Sequence, residues 1–435
     1  MNILIATMPF DGHFDPLTGI AADLRDHGHD VRWYAGPHYQ PKLDALGIPF
    51  FPFVRASEIT GDNIADVCPE RAALKGPQLI SFDAEMIFIA NVEHHFRDIA
   101  EIKSGFDFQA FFCDAALYAQ ALVAAKLDVP VYTVAPGPLL VANREVPPPF
   151  FGLRPPKTPV GALVHRGVRI MLDRTMRPAV RRYRDILTAE GVTPIPADRF
   201  LDVAGVCAYR RYLWGAPCLD FPQLRVPANS EFVGPLSPPR TDHGPGAALP
   251  AVVTDGQRTV VAVSQGTVDN EDPTKLIVPA IEALRADPDT LVVVTTGGKN
   301  TADLRRRFPE PNVLIEDRLP YEHLFDHADV FVTNGGAGSV LAAMRHGVPV
   351  VCAGKTEGKN DINARVGYNR LGIDLRTERP SARRIAAAVA TVRSDEHIAR
   401  NVANAREQLA SFRPFETIRR HLDEQRAASA IDPAV

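Results

Sequence analysis

Short apolar runs alternate with amphipathic stretches along the chain, with the spacing of repeated βα units. Residues 2–7 read as a buried strand, residues 17–27 carry apolar side chains at helical spacing, and residues 30–35 form a second apolar run. This order is typical of parallel strands joined by a crossover helix. Because such crossovers are right-handed, we predict that both strands lie in one parallel sheet.

The same rhythm continues to about residue 134. Further strands are predicted at residues 50–54, 108–113 and 130–134, with helices at 43–48, 80–99 and 115–126. A long helix is predicted at residues 161–189, and its seven arginines are spread around the circumference. We interpret these arginines as a solvated surface rather than an anion site.

Two proline-rich stretches interrupt this pattern. Residues 136–160 combine prolines with apolar and aromatic side chains, and they cannot continue a helix or a sheet because proline lacks a backbone N–H. They form either an ordered surface loop or one wall of an apolar pocket. Residues 237–257 are rich in proline and glycine and weakly patterned, which is typical of a linker.

A second series of βα units starts at Arg258. Strands are predicted at residues 259–263, 290–295, 313–315, 330–332 and 348–352, and helices at 273–285, 381–393 and 395–409. The chain is therefore predicted to be an α/β protein with two Rossmann-like domains, residues 1–236 and 258–411, joined by the linker at 237–257. One more helical segment covers residues 411–425.

The most informative turn follows the apolar run at 330–332 and reads Thr-Asn-Gly-Gly-Ala-Gly-Ser over residues 333–339. Glycines let the backbone approach a ligand closely, and the N-terminus of the following helix offers unpaired N–H groups and a partial positive charge. A diphosphate is the natural ligand for such a turn. The alternative is that the glycines serve only the close packing of strand and helix.

A dense polar group follows one βα unit later, at Asn360, Asp361, Asn363 and Arg365. Polar side chains beyond the carboxyl ends of parallel strands line the ligand crevice of open α/β sheets. The group is therefore a candidate for ligand contacts. The structural alternative is a helix N-cap followed by a solvated first turn.

His13 lies in the first turn after the first strand, at the crevice end of the predicted sheet. An imidazole with a pKa near ~6.5 accepts a proton at neutral pH, and it is a better base when a carboxylate holds its other nitrogen. Asp114 at the end of a later strand can reach it, as can Asp11 and Asp15 in the same loop. The alternatives are a histidine that caps a helix and an aspartate that is the N-cap before Ala115.

The chain has 435 residues, a formal net charge of −4 and 46% hydrophobic residues. This composition is typical of globular domains and gives no reason to expect nucleic acid or an anionic membrane as a partner. The five cysteines have neither metal-ligand nor redox spacing, and Cys113 and Cys352 lie in apolar strand-like runs, so buried thiols are expected. No apolar run reaches the ~18 residues of a membrane-spanning helix. We expect a soluble cytoplasmic protein, a monomer or a homodimer, without membrane insertion.

The turn at 333–339 and the sequence Glu-Gly-Lys-Asn-Asp-Ile-Asn-Ala-Arg-Val at 357–366 resemble a known donor-binding signature. It is that of the nucleotide-sugar-dependent glycosyltransferases of the GT-B fold, in particular the natural-product glycosyltransferases of bacteria. Gly12-His13 with Pro16, the run at 112–114 and the Phe-Val-Gly-Pro-Leu motif at 232–236 are also similar to the family. The resemblance implies two domains facing each other across a cleft, with the segment from Phe412 onward packing back on the first.

The resemblance also implies site residues. His13 is the implied general base, oriented by Asp114. The expected acceptor contacts are Phe10, Phe14, Pro138 and Phe150. The expected donor contacts are Gly12, Ser264, Gly266, Thr267, Arg318, Leu319, Asn334, Gly335, Gly336, Gly338, Ser339, Lys359, Asn360 and Asn363. Of these, the turn at 334–339 is expected at the diphosphate, the three residues between 359 and 363 near the sugar, and Arg318 at the nucleotide base.

Three segments depart from the family pattern. Most members have His where Asn334 stands, often Asp-Gln where Lys359 and Asn360 stand, and often Trp near Arg318. Asn can donate a hydrogen bond to phosphate but cannot be cationic, and an arginine can stack on a pyrimidine. These departures leave open which sugar is used and whether the nucleotide is UDP or dTDP.

The implied activity is the inverting transfer of a hexose from a UDP- or dTDP-sugar to a hydroxyl of a small, largely apolar natural product. The nucleotide sugar is a co-substrate, and neither a cofactor nor a divalent metal is expected, because no Asp-x-Asp pair lies near the diphosphate turn. Two alternatives are a nucleotide-sugar epimerase of similar two-domain build and a nucleotide-binding protein without catalysis. The apolar proline-rich segment disfavours the first, and the presence of His13 disfavours the second.

Overall fold

The computed structural model describes residues 1–140, 145–236, 249–266, 270–356 and 358–431, with side chains as far as residue 428. Two parallel sheets organise these residues, each covered by helices. The predicted fold class, α/β with two Rossmann-like domains, is confirmed.

The first sheet contains seven parallel strands. They are β1 (Asn2–Ala6), β2 (Asp30–Ala35), β3 (Phe50–Pro52), β4 (Ala110–Asp114), β5 (Val131–Ala135), β6 (Arg210–Trp214) and β7 (Ser230–Gly234). Their order is β3-β2-β1-β4-β5-β6-β7, so the direction of winding reverses between β1 and β4. Ala6 is paired with Cys113, and this register brings the residues that follow β1 next to the end of β4. Ligands of open α/β sheets bind at such a reversal.

Helices cover both faces of this sheet. Leu4 and Phe111 enter one buried cluster while Ile5 and Phe112 enter another, because successive side chains of a strand point to opposite faces. The helices are α1 (Asp11–Asp26), α2 (Gln40–Ala45), α3 (Ile64–Val67), α4 (Pro77–Phe82), α5 (Val92–Gly105), α6 (Gln120–Lys126), α7 (Pro159–Ala189) and α8 (Val203–Cys207). A π-helical segment, Asp83–Ile89, joins α4 to the approach of α5.

The second sheet contains six parallel strands. They are β8 (Thr259–Ser264), β9 (Thr290–Thr295), β10 (Val313–Glu316), β11 (Val330–Thr333), β12 (Val350–Cys352) and β13 (Gly372–Asp374). Their order is β10-β9-β8-β11-β12-β13. The reversal falls between β8 and β11, where Ser264 is paired with Thr333. The turns that follow these two residues therefore lie side by side.

Nine helices complete the described part of the second half. They are α9 (Ala251–Thr254), α10 (Ile277–Leu284), α11 (Thr301–Arg307), α12 (Tyr321–Leu324), α13 (Ala337–His346), α14 (Lys359–Tyr368), α15 (Ala382–Ser394), α16 (Glu396–Ser411) and α17 (Pro414–Ile431). Helix α17 lies on the first domain, where Ile418 and Leu422 are buried in the same cluster as Ile5. His421 is hydrogen-bonded to Tyr212 of β6 at 3.2 Å.

Some elements differ from the sequence predictions. Helix α1 begins at Asp11 rather than residue 17, so Gly12 and His13 lie in its first turn instead of a loop. Strand β6 was not predicted, because its two arginines and short length give no clear alternation. Residues 237–248 of the predicted linker lie outside the described residues, and α9 occupies part of the remainder.

Candidate active site

His13 and Asp114 meet at the reversal point of the first sheet. His13 Nδ1 lies 2.8 Å from Asp114 Oδ1. The carboxylate is fully buried, whereas 24% of the His13 side chain is exposed. Main-chain N–H groups of Met8 and Ala116 also donate to Asp114, at 2.7 and 2.8 Å. A carboxylate that accepts from three N–H groups acts as an acceptor, so we assign the His13 proton to Nδ1, leaving the Nε2 lone pair available to a substrate.

The two other aspartates that were candidates for this role are turned away. Lys42 donates to Asp11 at 2.8 Å and to Asp15 at 3.4 Å. Of the three aspartates that the sequence left open, only Asp114 is hydrogen-bonded to His13 among the described residues.

The aromatic residues around His13 divide into two groups. The Phe10 ring lies 5.9 Å from the His13 ring and 6.5 Å from Phe88, so it forms a wall beside the histidine. Phe14 has no exposed surface, and its ring stacks on Tyr39 at 4.2 Å. Consecutive residues of a helix point about 100° apart, and because α1 already includes residue 13, its neighbour turns into the core. Phe14 is therefore a core residue and not an acceptor contact.

Gly12 lies at the exposed start of α1, and a Cβ added to it would have open space within 4 Å. Packing thus does not require a glycine at this position. Contact of Gly12 with a donor stays a prediction.

The glycine-rich turn of the second domain connects β11 to α13. Gly335 has a φ of +96°, and a Cβ on it would lie 1.8 Å from Asn363 Oδ1, so glycine is required for both backbone conformation and space. Gly336 occupies the N-cap position of the ten-residue helix α13 and has no side chain to cap it. The first N–H groups of this helix therefore point out of the turn. Ser339, in the first turn, donates to the carbonyl of Gly336 at 3.0 Å.

Asn334 lies buried between the two central strand ends. Its Nδ2 donates to the main-chain oxygen of Gln265, and its side chain packs on Gly266, which has a φ of +80°. One N–H of the amide remains for another acceptor. Ser264 is buried at the end of β8, and its Oγ lies 3.3 Å from the Gly266 N–H. Thr267 lies outside the described residues.

Asn363 and Asn360 are both held by main-chain carbonyls. Asn363 Nδ2 donates to the oxygens of Asn334 and Gly354, at 3.2 and 3.0 Å, so it ties the turns after β11 and β12 together. Asn360 Nδ2 donates to the oxygen of Phe150 at 2.7 Å. Lys359 is buried as the first residue of α14. Contact of these three side chains with a sugar stays a prediction.

Arg318 and Leu319 lie in the connection from β10 to α12. Arg318 is exposed, and Leu319 is half-buried against the core of the second domain. Their position after a strand of the second sheet is compatible with contact to a nucleotide base.

The proline-rich segment borders a cavity at the junction of the domains. Pro138 is one of its walls, and Asp361 and Arg365 of α14 form the opposite side. The remaining lining is apolar: Leu139, Leu140, Val146, Pro147, Pro148, Pro149, Leu153 and Phe221. Burial raises the pKa of Asp361. The Phe150 ring packs instead against the core of the first domain.

Trp214 was not identified from the sequence. Its position shows that the carboxyl ends of the strands in the two sheets face each other. It ends β6 of the first sheet, and its ring lies 3.0 Å from where a Cβ would stand on Gly338 of α13. The carboxyl ends of strands from both sheets thus meet at the same junction. No pattern around residue 214 predicted this contact, because it depends on how the two domains pack.

No helix in the described residues is long and apolar enough to cross a membrane. In the same residues, no group of three or more histidine, cysteine, aspartate or glutamate side chains is arranged to hold a metal ion. All five cysteines are free. Cys113 and Cys352 are buried as expected, and so is Cys68, whereas Cys207 and Cys218 are half-buried.

Known proteins are similar to this chain in sequence and in fold. Residues 281–423 match the family described as Erythromycin biosynthesis protein CIII-like, C-terminal domain. The chain is 32% identical over 413 residues to 4'-demethylrebeccamycin synthase of Lentzea aerocolonigenes, which covers 94% of this chain and 96% of that protein. It is 26% identical over 443 residues to UDP-glycosyltransferase 2 of Phaeomoniella chlamydospora, covering 98% of this chain and 96% of that protein.

Among solved structures, the calicheamicin glycosyltransferase CalG4 superposes with a TM-score of 0.75 at 19% identity, over 99% of this chain and 98% of that one. The spinosyn rhamnosyltransferase SpnG complexed with thymidine diphosphate gives 0.68 at 15% identity, over 97% of this chain and 100% of that one. At these identities the likeness concerns the fold. Neither the epimerase nor the non-catalytic alternative is favoured by these matches.

Proposed function

The chain belongs to the natural-product glycosyltransferases of the GT-B fold, and we propose that it moves a hexose from a UDP- or dTDP-sugar to a hydroxyl of a small, largely apolar acceptor. The observation that carries the proposal is the hydrogen bond between His13 and the buried Asp114 at the reversal point of the first sheet. This hydrogen bond holds the His13 ring in place and leaves its Nε2 free to accept a proton. The His13 side chain is also partly open to solvent, so a substrate can reach it.

In the proposed reaction, His13 Nε2 removes the proton of the acceptor hydroxyl as its oxygen attacks the anomeric carbon. The bond from that carbon to the diphosphate oxygen breaks, and the nucleoside diphosphate leaves from the opposite face. A single displacement inverts the configuration. The imidazolium formed on His13 is stabilised by the Asp114 carboxylate, which holds the other ring nitrogen.

The leaving diphosphate gains negative charge, which must be stabilised. We assign this role to the first N–H groups of α13, which no side chain caps after the Gly335-Gly336 turn, with Gly338 and Ser339 in the first helical turn. The second N–H of Asn334 and the turn after Ser264, through Gly266 and Thr267, complete the proposed donor set. Asn334 takes this place as a neutral donor where most of the family has a histidine.

The remaining donor contacts are proposed at residues that lie after strands of the second sheet. Arg318 and Leu319 are proposed at the nucleotide base, with the planar guanidinium stacking on the pyrimidine. Lys359 is proposed at the sugar, with Asn360 and Asn363 beside it. The proposed charge compensation uses backbone and side-chain donors and calls for no divalent metal.

The acceptor is proposed to lie beside His13 and against Phe10, with the proline-rich segment around Pro138 as a further apolar wall. Apolar side chains beside the proposed base suit a small hydrophobic molecule. The names of 4'-demethylrebeccamycin synthase and of the calicheamicin and spinosyn enzymes point to natural products as the acceptor class.

The experiment that tests the proposal is incubation of the protein with UDP- and dTDP-sugars and a panel of hydroxylated natural products. Product masses reveal transfer, and the anomeric coupling constant of the product reveals inversion. A product with the donor's own anomeric configuration would contradict single displacement. Conversion of the nucleotide sugar without an acceptor would support the epimerase instead.

A further inference from the structure

A segment of the first domain is bound to the second domain through its main chain. We call residues 145–154, in the connection from β5 to α7, the strap. The N–H groups of Phe150 and Gly152 donate to Asp361 Oδ2 and Oδ1, at 2.5 and 2.8 Å. Asn360 Nδ2 donates to the oxygen of Phe150 at 2.7 Å. Three hydrogen bonds to the first turn of α14 therefore hold two residues of the strap, Phe150 and Gly152.

The strap has a shape that fits this contact closely. Phe150 has a φ of +74°, a conformation that bulky L-residues rarely adopt, and Gly152 has a φ of +59°. A Cβ on Gly152 would lie 2.9 Å from Asn360 Cβ and 3.1 Å from its main-chain oxygen. Strained backbone persists only where surrounding contacts over-determine it. The bonds to α14 are such contacts, and the Phe150 ring is anchored in the core of the first domain.

The rest of α14 is tied to the first domain as well. Arg365 Nε lies 2.7 Å from Asp220 Oδ1, and its guanidinium lies 4.5 Å from the centre of the Phe221 ring. Asn369 Nδ2 donates to the oxygen of Asp220 at 2.9 Å. At the end of the strap, Arg154 lies 3.5 Å from Asp374. Helix α14 is thus docked along its length on the acceptor side of the molecule.

Asp361 is the centre of this junction. It is 7% exposed, and both of its oxygens are used by the strap. The two residues before it, Lys359 and Asn360, are among those proposed at the donor sugar. A small cavity, lined mostly by apolar residues of the proline-rich segment, lies between the strap and α14. One carboxylate therefore connects the donor-sugar side of the site to the acceptor wall.

We propose that Asp361, with Asn360, is a positioning residue that latches the strap onto α14 and so sets the distance between acceptor and donor sugar. The catalytic part of this inference rests on the proposed glycosyl transfer, whereas the latch itself does not. Nucleotide binding uses the turns of the second domain and does not need the latch. Transfer needs the acceptor and the donor sugar at a fixed distance from each other. Loss of the latch therefore lowers kcat rather than nucleotide affinity.

The test compares Asp361→Asn with the matched control Asp303→Asn. Asp303 also lies in a first helical turn of the second domain, but it is exposed and paired with Arg306. The asparagine at 361 presents an amide N–H₂ to one of the two strap N–H groups, so at least one bond is lost. Hydrogen exchange of residues 145–154 is measured without any ligand, UDP and dTDP binding by calorimetry, and transfer by product mass.

For Asp361→Asn we expect the Phe150 and Gly152 amides to exchange about tenfold faster or more, with the exchange of the donor turn unchanged. Transfer kcat should fall about tenfold or more, because small displacements of reacting groups are costly in rate. The Kd of the nucleotides should stay that of the wild type. The control should change none of these values. Gly152→Ala, which disturbs the junction from the strap and leaves α14 intact, should reproduce the exchange and kcat effects.

Unchanged exchange of the strap in both Asp361→Asn and Gly152→Ala would overturn the latch. Faster exchange with wild-type kcat would overturn its positioning role. Weakened nucleotide binding in both variants would show a general effect on the second domain instead. If the wild-type protein transfers no sugar from any donor, the proposed function fails, and the exchange result still decides whether the latch exists.

Discussion

Asp114 Oδ1 accepts a hydrogen bond from His13 Nδ1 at 2.8 Å while its two oxygens also receive the main-chain N–H groups of Ala116 and Met8. Met8 follows β1, and Ala116 follows β4. The orientation of the carboxylate, and through it that of the imidazole, is therefore set by the backbone of two adjacent strands. This arrangement explains why Asp11 and Asp15, which are closer in sequence, do not take the role.

Replacing His13 by alanine is expected to remove transfer while UDP or dTDP binding is retained, because the base and the donor turns belong to different domains. A positioned general base contributes about 10²–10⁴-fold. Product mass and calorimetry measure the two effects. His27→Ala, at the exposed end of the same helix, is the control and should transfer normally. Transfer within tenfold of wild type in His13→Ala would exclude this residue as the base.

Replacing Asp114 by asparagine should lower kcat about tenfold or more, since the amide cannot hold Nδ1–H and accept both main-chain N–H groups as the carboxylate does. The nucleotide Kd should not change. Asp15→Asn removes the same charge from an exposed side chain near His13 and should be close to neutral. Equal effects of the two variants on kcat would show that only the net charge near His13 matters.

Chelation of divalent metals by EDTA should leave transfer unchanged. The N-terminus of α13 and the polar side chains around it are proposed to meet the charge of the leaving diphosphate. Initial rates with and without EDTA, and after adding back Mg²⁺ or Mn²⁺, measure this. Loss of activity that either metal restores would contradict the proposed charge compensation.

Asn334 is expected to act as a neutral donor to the diphosphate. Asn334→Ala should weaken nucleotide binding by about 0.5–3 kcal/mol, with little effect on the acceptor. Asn334→His should bind nearly as well as wild type, as expected from the family. Asn334→Asp keeps the shape but brings a like charge to the phosphates, so it should bind more weakly than the alanine variant.

Calorimetry of UDP and dTDP binding compares these variants with Asn334→Gly. The competing view is that Asn334 only shapes the turn. Full nucleotide affinity in both the alanine and the glycine variants would support that view. A damaging effect of histidine, together with a harmless glycine, would support it as well.

Stability should fall in acid because of His95. This buried histidine lies 3.0 Å from the Tyr34 hydroxyl, which donates to Asp98 at 2.8 Å, and burial lowers the pKa of His95 to about 4. Below its ordinary pKa of ~6.5 the unfolded chain binds a proton that the folded protein does not. The free energy of unfolding should therefore decrease as pH falls from about 6.5 to about 4, by at most about 3 kcal/mol from this group.

Denaturant unfolding at several pH values measures this dependence. His95→Asn keeps an N–H donor toward Tyr34 but does not titrate, so its unfolding free energy should change less over this range. His94→Asn, at the exposed neighbouring position, should keep the wild-type dependence. A His95→Asn variant with wild-type pH dependence would assign the acid sensitivity to other groups.

The sequence by itself determined the fold class and the glycine-rich turn. Parallel strands buried on both faces leave continuous apolar runs such as residues 291–294, and the turn at 333–339 follows another such run. These signals are local, since they depend on side chains a few residues apart. The pairing of His13 with a carboxylate was also foreseen. The sequence left Asp11, Asp15 and Asp114 as candidates for that carboxylate.

The tertiary structure decided the contacts that depend on distant parts of the chain. It selected Asp114, turned Phe14 into the core because α1 starts earlier than its apolar pattern predicts, and bound Asn360 to the carbonyl of Phe150. It also placed Trp214 on Gly338 and the strap on Asp361. Local patterning specifies which elements form, but only the packing of two domains against each other specifies which of their surface groups meet.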